Sequence, residues 1–177
     1  MSVSIRPADH ADLATITEIY NEAGVGTTAS YDLEPVTLES RHTWFEQRSA
    51  RGFPTIVAEQ GGRVVGYAAY GSFRDKAGYD YTVEHSVYVD RDVRQSGVGR
   101  TLMTALIAHA QTSGVHVMLG VLDGDNAASL AFHRTLGFVE VGRMPQVGRK
   151  FGRWLDVVLV QMTFSGPDLD GAPAAQR

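Results

Sequence analysis

The stretch that most constrains how this chain folds is Arg94–Met103, "RQSGVGRTLM", taken with its flanks. Upstream, "YDYTVEHSVYVD" has the composition of a long strand. Downstream, "GVGRTLMTALIAHAQTSG" carries apolar residues at helical spacing. Between them Gly97 and Gly99 bracket Val98, with arginines at 94 and 100. A strand that runs through a glycine turn straight into an apolar helix leaves the helix start accessible. Glycine lets backbone approach a ligand with no Cβ in the way. The first helical turn offers N–H groups without partners, and its dipole favours an anion. Arg94 and Arg100 can add charge-assisted bonds. The glycines also serve as ordinary turn formers, and on this segment alone both readings stand.

Two familiar phosphate loops drop out. A P-loop needs glycine and lysine where this chain has Arg94 and Arg100, and a dinucleotide fingerprint needs glycine where Leu102 stands.

The other segments set the fold class. "SIRPADHADLATITEIYNEA" reads as a strand stopped by Pro7 and then a helix, with Asp9 as a cap. "VTLESRHTWFEQRSARG" reads as a helix with Thr37 as N-cap and Gly52 past its end. "TIVAEQGGRVVGYAAYGSF" is a hairpin turning on Gly61–Gly62. After the glycine segment and its helix come a strand "HVMLGVL", a short helix "NAASLAFHRTLG", and strands "FVEVGRMPQVG" and "WLDVVLVQMTF". Strands and helices in this order, with hairpins at both ends, predict an α+β (mixed α/β) sheet. One domain is expected over residues 1–165, followed by a flexible Gly/Pro/Ala/Asp-rich tail over 166–177.

Composition narrows the function classes. The net charge of −4 argues against a nucleic-acid-binding face, which needs clustered basic residues. No apolar run has the length of a membrane helix, and the N-terminus lacks a basic region followed by an apolar one. The absence of cysteine removes disulfides, thiolate zinc sites and a cysteine nucleophile together. The histidines lack H-E-x-x-H spacing, so no metal is expected. A cytoplasmic location is the expectation.

Arg94-Gln95-Ser96-Gly97-Val98-Gly99 fits the pattern Q/R-x-x-G-x-G/A, and Asn126 leads "NAASLAFHRTLGF". Both resemble the cofactor-binding segments of the GNAT superfamily of N-acetyltransferases, and the resemblance extends over roughly residues 3 to 164. Within it, "YTVEHSVYV", "ASYDLEP" and "GRKFGRWLDVVLVQ" are similar to phosphinothricin and methionine sulfoximine N-acetyltransferases. The resemblance implies a mostly antiparallel, splayed sheet of about seven strands flanked by about four helices. It also implies acetyl-CoA as co-substrate, a small amino-acid analogue as acceptor of acetyl on its α-amine, and a homodimer. Two rivals remain: another amine acceptor (a polyamine, an aminoglycoside or a protein N-terminus), or a non-catalytic acyl-CoA-binding sensor.

The resemblance makes Glu84 the base that takes the amine proton. Strand alternation alone leaves it a mid-strand carboxylate that needs solvent, a partner or a cleft. His133 stands seven residues after Asn126, where the wider superfamily usually carries a tyrosine acid, and an imidazole there can act as acid toward the departing thiolate or as a second base. For the cofactor, the resemblance assigns the loop Arg94, Gln95, Ser96, Gly97, Val98, Gly99 and Arg100 to the pyrophosphate. It assigns Asn126 to the pantetheine arm, beside the residue's capping duty, and the backbone of Val87, Tyr88 and Val89 to the pantetheine amides, as a form of strand addition. An amino-acid acceptor brings a carboxylate that needs a cation, for which Arg74 and Lys150 are the candidates. Tyr31, Phe73, Tyr81 and Trp154 are candidate walls of the acceptor pocket.

Overall fold

The computed structural model describes residues 2–93 and 96–165. The elements run β1 (Val3–Pro7), α1 (Leu13–Tyr20), α2 (Leu38–Ala50), β2 (Thr55–Gln60), β3 (Arg63–Ser72), β4 (Thr82–Val89), α3 (Val98–Thr112), β5 (Val117–Asp123), α4 (Ala127–Thr135), β6 (Val139–Lys150) and β7 (Arg153–Thr163). The expected caps form. Asp9 Oδ1 accepts from the Ala11 N–H ahead of α1, and Thr37 Oγ1 accepts from the Ser40 N–H in α2. Gly61 and Gly62 both take positive φ and close the β2–β3 hairpin, with Gln60 paired to Arg63. At α1 the expected uniform helix gives way after eight residues to a π turn, Asn21–Val25. A Cβ at Gly24 there would lie 3.0 Å from Tyr88, so the missing side chain is what lets the widened turn pack close to β4.

The seven strands form one sheet in the order β1-β2-β3-β4-β5-β7-β6. Every neighbouring pair is antiparallel except β4 and β5. Those two are joined through α3, the long crossover a parallel pair requires. This is the mixed, mainly antiparallel sheet with four helices that the resemblance implied.

Each sheet face carries its own core. On one face α3 buries Leu102, Met103 and Leu106 against Val65, Val83 and Met118. Burial of each such side chain contributes about 1.5–3 kcal/mol. On the other face Leu13, Ile16 and Ile19 of α1 pack with Val57, Val64 and Tyr67, and Trp44 and Phe45 of α2 close over them.

The β4–β5 pair positions the site. Its register contains only Thr82↔Val117, Val83↔Met118 and Glu84↔Leu119. β4 continues to Val89 and β5 to Asp123 without further pairing between them. From His85 onward the sheet is therefore split, and β4 keeps a ladder only on its β3 side. Among the described residues no helix is long and apolar enough to cross a membrane.

Candidate active site

Three cavities of about 420, 510 and 490 Å³ follow one another along β4. The first lies under α2 and is lined by Tyr20, Asp32, Arg41, Trp44, Arg48, Tyr67 and Glu84. The middle one is lined by Glu84, Ser86, Tyr88, Tyr31, Asn126, Ser129 and His133. The third is lined by Val87, Tyr88, Val89, Gly97, Gly99, Arg100, Asn126 and His133. Shared residues make the three a continuous cleft: Glu84 borders the first and second, and His133 the second and third.

Glu84 and Tyr88 share one sheet face by strand alternation, while His85 and Val87 take the other. His133 of α4 belongs to that other side, where its ring stacks on His85 at 5.1 Å. Glu84 and His133 face a common cavity because the sheet is open between β4 and β5.

Their surroundings set their protonation. Burial pushes the Glu84 carboxyl upward, and the positive charge of Arg48 opposes this in part. Burial pushes His133 downward, so its ring is neutral near pH 7. His133 Nδ1 lies 2.8 Å from the Ser129 carbonyl oxygen, which can only accept, so Nδ1 carries the hydrogen. Nε2 then presents a lone pair, and it is buried with no partner among the described residues. In this state His133 is a proton acceptor. It becomes an acid only after it has taken a proton.

At the far end of the cleft α3 starts on Gly97, whose φ of +88° is the left-handed conformation that favours glycine. No side chain caps this start, so its first N–H groups remain without intrahelical partners. Arg100 Nη2 donates to Thr135 Oγ1 at 2.7 Å, tying α3 to α4. Asn126 Oδ1 accepts from the Ser129 N–H at 3.0 Å and caps α4. Ser96 Oγ donates to the Val93 carbonyl. Arg94 and Gln95 lie outside the described residues.

The candidates for the acceptor pocket divide. Tyr31 lines the middle cavity and donates to the Asp156 carbonyl at 3.3 Å. Lys150 is buried, with Nζ donating to the Ser30 carbonyl at 2.7 Å, and so braces the 27–36 loop against β6. Arg74 is exposed, its guanidinium 5.0 Å over the Phe73 ring, and neither residue lines any of the three cavities. Tyr81 is partly buried just ahead of β4 and is also absent from the cavity walls. Trp154 is 61% exposed on the β6–β7 hairpin and is likewise absent from those walls.

The sequence reading missed the first cavity's own cations. Arg41 is 5% exposed, its guanidinium 4.3 Å over the Tyr20 ring and 4.7 Å over Trp44. Arg48 lies 4.7 Å over the same Trp44. The available signal was spacing: Arg41, Trp44 and Arg48 stand at i, i+3 and i+7 of one helix, where a core-facing stripe is expected.

A cleft between splayed parallel strands, with an uncapped glycine-started helix at one end and a carboxylate facing an imidazole at its middle, limits the families the chain can belong to. A family model described as "Acetyltransferase (GNAT) family" matches residues 13–138. The chain belongs to the GNAT family. Its GNAT relatives include the L-methionine sulfoximine/L-methionine sulfone acetyltransferase of Pseudomonas aeruginosa, 50% identical over 163 residues, covering 92% of this chain and 95% of that protein. A phosphinothricin N-acetyltransferase from Alcaligenes faecalis is 37% identical, covering 93% of this chain and 84% of that protein. Among solved GNAT structures, a putative acetyltransferase from Salmonella typhimurium with its cofactor acetyl-CoA superposes with a TM-score of 0.92. It is 44% identical and covers 99% of each chain. The protein is an N-acetyltransferase.

Proposed function

We propose that the enzyme transfers acetyl from acetyl-CoA to the α-amine of a small amino acid of the methionine sulfone, methionine sulfoximine or phosphinothricin type. The observation that carries this reading is the middle cavity, where Glu84 and His133 border one space that adjoins the start of α3. Acetyl-CoA supplies an acyl carbon activated as a thioester. The residues of the third cavity fit it: an uncapped helix start for an anion, and β4 backbone at Val87, Tyr88 and Val89 that is unpaired on its β5 side. Arg94, Gln95, Ser96, Gly97, Val98, Gly99 and Arg100 are assigned to the pyrophosphate, and Asn126 to the pantetheine arm.

An ammonium has no lone pair, so the acceptor must lose a proton before its nitrogen can attack. That proton is assigned to Glu84 or His133, which line the same cavity, directly or through water. A carbon–nitrogen bond then forms, the carbon–sulfur bond breaks, and the departing thiolate receives a proton. His133, once protonated, stands beside the third cavity to give it. Holding amine and thioester in one narrow cleft supplies much of the acceleration. Tyr31 is assigned to the wall of the acceptor site.

We further infer a homodimer in the cytoplasm. Support for the dimer comes from β6, a twelve-residue edge strand whose hairpin exposes Val139, Val141, Val147, Phe151 and Trp154. Long apolar edges of this kind are usually covered.

The test is thiol release from acetyl-CoA with methionine sulfone, methionine sulfoximine, phosphinothricin, spermidine, an aminoglycoside and an Ala-led peptide. Saturable turnover with the first three and none with the others is expected. Turnover confined to the latter group overturns the acceptor class. Cofactor binding without turnover on any amine overturns the catalytic assignments.

A further inference from the structure

Among the described residues of α4 only His133 is buried, and three aromatic rings surround it. Phe132 lies edge-on at 5.3 Å and Phe138 edge-on at 5.4 Å, while His85 stacks on it at 5.1 Å with 21° between the planes. The Ser129 carbonyl accepts from Nδ1. Ser129 and Phe132 belong to α4 itself, and Phe138 lies just past its end. Of these four contacts His85 alone comes from a distant segment, and its neighbour in the chain is Glu84.

His85 does not itself meet the acceptor. It is 7% exposed, and both of its ring nitrogens are buried with no hydrogen-bond partner among the described residues. Such an imidazole acts through ring contact alone: its face meets His133, and Phe138 is inclined to it at 5.2 Å. Its place in the sheet is specific. The β4–β5 register ends at Glu84↔Leu119, so His85 is the first residue of β4 past that ladder. A Cβ at Gly120, the next residue of β5, would fall 2.8 Å from His85 Nε2. The ring therefore rests against the Gly120 backbone at the point where the two strands part, and its face meets α4 there.

Glu84 and His133 border the same cavity, one from β4 and the other from α4. Without His85 the His133 ring has an open face and is held only by neighbours on or beside its own helix. A misplacement of about 1 Å in a reacting constellation costs on the order of 100-fold in rate.

We propose that His85 is a positioning residue for acetyl transfer, seating the His133 ring at a fixed distance from Glu84. This rests on the reading that His133 takes or gives a proton in the reaction.

The test reads the His133 ring and its catalysis separately. Nitrogen NMR of enzyme carrying isotope-labelled histidine reports the tautomer of each ring, with His133→Phe identifying the His133 signals. The parent is expected to show His133 protonated on Nδ1 at neutral pH. His85→Ala is expected to lose that single state and show both tautomers. His85→Phe returns a ring to the seat and is expected to restore it. Gly120→Ala keeps both histidines but puts a methyl group into the seat, and serves as a second variant with the sign of His85→Ala. Unchanged His133 signals in both His85→Ala and Gly120→Ala overturn the proposal.

With the acceptor that turns over best, His85→Ala is expected to lower kcat about tenfold or more, with both KM values within about twofold of the parent's. His85→Phe is expected to recover most of that loss. In the His133→Phe background His85→Ala is expected to cost nothing further, as for two residues that act as one. An equal loss in that background shows that His85 acts on something other than His133, and overturns the proposal. Full activity in His133→Phe would sink the catalytic reading of His133 and leave its seat on His85 standing. Unaltered kcat in His85→Ala beside an impaired His133→Phe would do the reverse.

Discussion

At the scale of single residues, the two groups at the middle cavity differ in what pH does to them. Burial raises the Glu84 carboxyl above its ordinary value. Glu84 accepts a proton only when ionised, so kcat/KM is expected to fall as pH drops through that raised value. Glu84→Gln is expected to lower kcat/KM about 10²- to 10⁴-fold and to remove the Glu84 part of the acid limb. A rate profile of this variant indistinguishable from the parent's would assign the proton to His133 alone. That Glu84 and His133 line one cavity agrees with where family resemblance pointed, joined for Glu84 to strand alternation and for His133 to its place seven residues after Asn126. Arg41 and Arg48 were not legible, because a surface arginine and one laid under a tryptophan read alike in a helical segment. What distinguishes them is the face of α2 that meets β3 and β4, which is settled by packing between distant segments. Lys150 shows the converse: a basic side chain in a loop-like sequence is buried, with its Nζ donating to the Ser30 carbonyl.

At the scale of elements, β4 and α4 are joined through the stacked rings of His85 and His133, with Phe138 edge-on to both. A Cβ at Gly120 would fall 2.8 Å from His85 Nε2, so β5 leaves that ring its seat. Burial lowers His85 to about 3, against an unfolded value near ~6.5. Between those two values the unfolded chain binds the proton and the folded one does not, so this contribution to stability rises with pH across that window. It is complete above the unfolded value and is lost as pH falls toward the folded one. The melting temperature is therefore expected to drop as the buffer is taken from pH 7 to pH 4. His85→Phe is expected to flatten that dependence, and an equally steep fall in this variant would place the acid sensitivity elsewhere. Element order, caps and the Gly61–Gly62 turn were readable because each depends on neighbouring residues. The π turn after α1 was not, since it answers to the approach of Tyr88 from a strand more than sixty residues on.

At the scale of the whole molecule, the sheet divides the protein into two layers of core and one cleft that passes between them. The mixed sheet and four helices followed from the order of segments. The short β4–β5 register did not, because a sequence of alternating residues carries no mark of where its neighbour departs. The exposed apolar hairpin has its consequence here too. Val147→Glu combined with Phe151→Glu is expected to shift the mass in light scattering from two chains to one. The parent eluting as a single chain would remove the homodimer.

An interior edge differs from an outer one. Strands at the rim of a sheet are commonly guarded by charge, proline or twist against pairing with the wrong chain. The open side of β4 at Val87–Val89 has no such guard in its sequence, since "VYV" is what a strand-seeking neighbour would prefer. Its protection is its position: α3, α4 and the turn after α1 line the gap, and it lies inside the sheet rather than at its rim. The enzyme thus keeps an unfinished ladder in its middle without the aggregation hazard such a surface would carry at the rim.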